Sequence, residues 1–89
     1  MESTDDIKEK LKTLLVEVLH LEDVEPQDIV DDAPLFGDGL GLDSLDAVEV
    51  VLLVEKYFGV PIKDMEEGRP ALQSINALAE FIVRRRSES

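Results

Sequence analysis

The chain has no cysteine, no tryptophan, a single histidine, and 9 basic residues against 21 acids. Each scarcity removes a class of function. Without thiols there is no disulfide framework, no thiolate nucleophile and no Cys-ligated zinc. So few bases argue against nucleic acid or an anionic membrane as partner, since both require Lys/Arg to displace counterions. No stretch nears the ~20 apolar residues of a membrane span. The acidic opening MESTDDIKEK carries no signal-like apolar region. A cytoplasmic, monomeric protein with no stable membrane insertion is expected.

What remains is an acidic chain of 89 residues with a formal charge of -12 and 44% hydrophobic residues. That length supports one domain, residues 1–89, with one modest core. The charge suits basic protein partners, which such a field attracts over about a Debye length, ~8–10 Å. Apolar spacings of three and four predict a first helix over about 4–20, with Ser3 as N-cap and Asp6 completing a capping box. A long proline- and glycine-containing loop follows over about 21–43, anchored by Val24, Ile29, Leu35, Phe36, Leu40 and Leu42. A second helix is expected at about 44–58, stopped by Gly59 and Pro61. A short helix at about 64–68 and a last one at about 74–86, capped near Ser74, complete an all-α, small antiparallel helical bundle. The run Arg84, Arg85 and Arg86 reads as a solvated helix end that complements the helix dipole.

The stretch GLGLDSLDAVEV, residues 39–50, carries the functional question. Ala47, Val50, Val51, Val54 and Phe58 form one apolar stripe, sufficient to dock the second helix on a core. Leu45, Val48 and Leu52 form another, interleaved with Asp46, Glu49 and Glu55. An exposed apolar centre with a charged rim is what a transient protein interface uses.

Ser44 begins this helix with no base near it in the sequence. A catalytic serine needs a base and an oxyanion hole. His20 lies at the far end of the first helix, and Leu42 and Asp46 replace the glycines of a nucleophile elbow. A Walker loop lacks its lysine, and the acids near Asp31 and Asp32 are out of register for an EF-hand. No enzyme is expected. Ser44 is left as a helix N-cap or as the acceptor of a group added by another protein, which a helix N-terminus suits if that group is a phosphate.

The segment LGLDSLDAVEVVLLVEKYFGV resembles the phosphopantetheine attachment region of acyl carrier proteins, and the likeness extends over nearly the whole chain. The resemblance implies that Ser44 receives 4′-phosphopantetheine from coenzyme A, through a separate magnesium-dependent phosphopantetheinyl transferase. Asp43 would assist at the transferase site. Leu45, Asp46, Val48, Glu49, Leu52 and Glu55 would dock acyl-processing enzymes with basic surfaces. Val50, Val54, Phe58 and Ile62 would line an acyl pocket. Cargo would ride as thioesters on the arm's thiol, serving fatty acid, lipid or polyketide-type biosynthesis. Gly39, Leu42, Lys56, the stretch from Ile62 to Ile75 and the arginine ending differ from the usual fatty-acid carrier and suggest a specialised, free-standing one. The alternatives are a peptidyl or aminoacyl carrier domain, and an unmodified acidic interaction module in which Ser44 is only a cap.

Overall fold

The computed structural model describes residues 3–36, 41–63 and 65–88. Its order is α1 (Thr4–Val18), a 3₁₀ turn at Pro26–Asp28, α2 (Ser44–Phe58), α3 (Met65–Ala71) and α4 (Ile75–Glu88). Among the described residues there is no strand, only an isolated bridge between Phe36 and Leu42. The all-α bundle is as expected.

The first helix begins as its sequence dictates. The Ser3 hydroxyl accepts from the Asp6 N–H at 3.2 Å, and the Asp6 carboxylate accepts from the Ser3 N–H at 3.3 Å. Ile7, Leu11 and Leu15 are its buried stripe. Its end comes two residues before the expected His20. Leu19 is the cap, His20 takes a left-handed conformation (φ 53°), and the Leu21 N–H returns to the Val16 carbonyl at 3.1 Å. This is a Schellman stop made without glycine, so a β-carbon sits where it is sterically costly.

The long loop is pinned as its apolar residues suggest. Ile29, Leu35 and Leu42 are buried, and Val24 and Phe36 pack against the core. Leu40, with Gly37 and Gly39, lies outside the described residues. The Leu35 N–H donates to the Gln73 carbonyl at 3.0 Å, and the Asn76 N–H to the Asp31 carbonyl at 2.9 Å. Asp31 also pairs with Lys12 at 2.5 Å and Lys8 at 3.8 Å, which ties the loop to α1 as well as α4.

The Lys12 ammonium, bonded to Asp31, holds that carboxyl below its usual pKa against an opposing cost of desolvation, with Lys8 adding a weaker pull. A depressed folded-state pKa contributes stability that is full above the unfolded value of ~3.9 and fades as pH falls through the folded value. Asp31→Asn should therefore lower the melting temperature at neutral pH, and the gap from wild type should close below about pH 4. Thermal melts of both proteins between neutral and acid pH check this. Coincident curves would mean the pair contributes nothing, and a constant gap that its effect is not the carboxylate's charge.

Two other boundaries differ from expectation. The short helix runs from Met65 to Ala71 instead of 64–68, continuing through Pro70; Asp64 lies outside the described residues. A proline lacks the N–H bond and its ring crowds the carbonyl four residues back, but here both costs fall in the last turn, and the Leu72 N–H still reaches the Gly68 carbonyl at 2.9 Å. Gly68 permits the close approach, because a β-carbon there would sit 2.8 Å from Ile62 Cγ2. The last helix starts at Ile75 and reaches Glu88, and the Ser74 hydroxyl accepts from the Ala77 N–H at 3.1 Å. Ile75, Leu78, Ala79 and Ile82 are fully buried.

Candidate functional site

The second helix starts at Ser44 and ends at Phe58. Val48, Val50, Val51 and Val54 are indifferent helix formers. Signals at the two ends and burial along one side override them. Gly59 takes φ 69° and closes the helix, with its N–H on the Glu55 carbonyl at 3.0 Å. At the start, Asp43 Oδ1 accepts from the N–H groups of Leu45 (3.0 Å) and Asp46 (3.1 Å), and Asp46 Oδ2 accepts from the Asp43 N–H at 3.1 Å.

The cap is therefore Asp43, and Ser44 is the first helical residue. This corrects the reading of Ser44 as an N-cap. Two cap-type residues stand side by side, and the one whose side chain reaches two N–H groups takes the position. It also corrects the picture of a helix end open to an anion, because the N–H groups of Leu45 and Asp46 already face a carboxylate. Ser44 is exposed, as is Asp43.

The stripe assignments resolve clearly. Ala47, Val50, Leu53, Val54 and Phe58 are buried, while Val51 is only partly so. Leu53 belongs to the core face and was not placed there by spacing. The second stripe is outside: Leu45 is 77% exposed, Val48 52% and Leu52 56%. Glu49 and Glu55 are exposed beside it, and Asp46 is half-buried. Val50, Val54, Phe58 and Ile62, the acyl-pocket candidates, all sit in the core cluster.

Asp46 and Glu49 are thus different carboxylates. Glu49 is exposed without a part in the cap, whereas Asp46 closes the capping box. Glu49→Lys should leave the fold unchanged and weaken any basic partner about tenfold at low salt. Asp46→Lys should in addition cost about 0.3–1 kcal/mol of stability, by opening the box and placing a cation at the positive end of the helix. Paired melts and partner titrations of the two variants separate the effects. Equal melting temperatures would show that the box contributes nothing.

Among the described residues no group of three or more His, Asp or Glu is placed to hold a metal ion, and no helix is long and apolar enough to cross a membrane. A phosphopantetheine arm needs an accessible hydroxyl on a firm support, with room around it. Ser44 meets that requirement: exposed, at the capped start of a 15-residue helix whose other side is core.

Comparison with known proteins points the same way. The family described as "Phosphopantetheine attachment site" matches residues 9–82. An acyl carrier protein of Thermosynechococcus vestitus is 35% identical over 77 residues, 86% of this chain and 88% of the relative. A protein named "Acyl carrier protein 2, mitochondrial" from Arabidopsis thaliana is 39% identical over 78 residues, covering 88% of this chain and 60% of that one. With a bundle of this kind, a capped helix offering an exposed serine, and matches over most of its length, this chain belongs to the acyl carrier protein family, non-catalytic carriers whose cofactor is phosphopantetheine.

Proposed function

We propose that Ser44 is the attachment point and that the exposed face of α2 is the docking surface of a free-standing carrier. The observation that carries this is the separation of roles at the start of α2. Asp43 makes the cap, so the Ser44 hydroxyl has no structural duty there. Its missing base is then no defect, because a phosphopantetheinyl transferase brings the base, the magnesium and the coenzyme A. Asp43 Oδ1 accepts both cap bonds, leaving Oδ2 available to the transferase's metal.

When bound, the arm supplies a thiol to a cysteine-free chain and tethers a thioester at high local concentration. The chain's own residues bind and orient. Leu45, Val48 and Leu52 offer apolar area to a partner, and Asp46, Glu49 and Glu55 steer basic surfaces toward it. Val50, Val54, Phe58 and Ile62 are the candidates to receive an acyl chain, which would have to part the packed helices. Cargo of fatty acid, lipid or polyketide type and a cytoplasmic location complete the reading. A peptidyl carrier role is less well supported, since the acids of α2 suit docking to separate enzymes.

The test is direct. The purified apo protein is incubated with coenzyme A, magnesium and a broad-specificity transferase, then its intact mass is measured and the modified residue mapped by fragmentation. One phosphopantetheinyl group on Ser44 is expected. Unmodified folded protein, or modification at another serine, would overturn the assignment.

A further inference from the structure

On the last helix Arg84 and Arg86 are exposed and Arg85 is half-buried. All four of the chain's arginines, Arg69, Arg84, Arg85 and Arg86, lie on α3 and α4. The Arg85 guanidinium stands 5.0 Å from the centre of the Phe81 ring, and that of Arg86 stands 5.9 Å from Phe58. Stacked on rings in this way, their stems cover apolar surface while their charge stays at the surface. Helix-dipole complementarity accounts for cations in the last turn. It does not account for the groove that they border.

That groove runs between α3 and α4 and has a volume of about 560 Å³. Pro70, Ala77 and Phe81 supply apolar lining, and Arg84 and Arg85 stand over it with Glu80, the one acid of the lining among the described residues. Arg84 is exposed, and Phe81 is half-buried. The face described above for α2 is apolar with an acidic rim; this one is apolar with a cationic rim.

We infer that the α3–α4 groove is a second docking site, and that its occupant is an acidic segment of a partner protein carrying one or two large apolar side chains. Charge complementarity selects the occupant. A basic segment would meet Arg84 and Arg85, whereas the rest of this -12 chain already offers abundant sites for bases. An apolar side chain on Phe81 and Pro70 would supply burial, and carboxylates paired with guanidinium groups would set the register. A partner presenting both a basic and an acidic surface could then grip the carrier from two sides. The site is independent of the attachment reading, since it uses no residue of α2.

The probe is a six-residue synthetic peptide with four glutamates around a Leu-Phe pair, titrated into the ¹⁵N-labelled protein. Its control has four lysines instead. Saturable shifts of the Ala77, Phe81, Arg84 and Arg85 amides are expected with the acidic peptide alone. Arg84→Glu should weaken binding roughly tenfold with only a small fall in melting temperature, because Arg84 lies outside the core and only helix-end electrostatics are lost. Ser44→Ala should bind as wild type, which keeps this result separate from any failure of loading. Absence of saturation, equal shifts with the lysine peptide, or shifts confined to α2 would each overturn the proposal. So would an Arg84-dependent rise in mass with concentration on sedimentation, which would make the occupant a second copy of the chain.

Discussion

Replacing Ser44 by alanine should abolish phosphopantetheine loading completely while moving stability by less than about 0.5 kcal/mol. The two halves of that expectation have separate causes. Loading vanishes because the acceptor oxygen is gone and no neighbouring hydroxyl occupies its place at the start of α2. Stability holds because Asp43, not Ser44, satisfies the N–H groups of Leu45 and Asp46. Alanine is also the best helix former for a first-turn position that needs no side-chain bond. Intact mass after transferase treatment reads the first half, and a urea melt reads the second. A loss of 1–2 kcal/mol, as a cap deletion costs, would return Ser44 to a structural role.

Leu11→Ala should cost ~2–5 kcal/mol and bring the fold close to its stability limit, given a total of ~5–15 for a typical domain. Leu11 is completely buried at the middle of α1. That helix touches α2, α4 and the 3₁₀ turn of the long loop, so a cavity there loosens every element that positions Ser44. The variant should also load more slowly at temperatures where it has begun to unfold, and at the wild-type rate well below its melting point. Calorimetry with loading rates at several temperatures checks both. A melting temperature within a degree or two of wild type would mean that the core closes around the missing side chain.

Local signals made much of this molecule legible in advance. The box at Ser3 and Asp6, the glycine stop at residue 59 and the exposure of Leu45, Val48 and Leu52 depend on residues within a turn of one another, and sequence displays such relations. His20 was invisible as a helix stop because nothing in its side chain marks a left-handed residue. The short helix ran past its expected end at 68 and through Pro70, since a proline near the end of a short helix forfeits little. Leu53 joined the core because the buried face of α2 is wider than one stripe, a width set by its neighbours in the fold. The α3–α4 groove was hidden for the same reason: Phe81 and Pro70 are neighbours only in the fold. Ser44 itself stood out, but whether it or Asp43 made the cap depended on reach, which a string of letters does not encode.

The carboxylate at the head of α2 has one more effect. A phosphodiester on Ser44 would find the N–H groups of Leu45 and Asp46 taken and Asp43 and Asp46 beside it, so like charges would push it off the protein surface. The arm would be held on a fixed mast and swung outward, with nothing at its base to make it lie down. Where the thioester comes to rest would then be decided by cations in the enzyme being visited, and the carrier would release its load to any host that offers the phosphate a better berth.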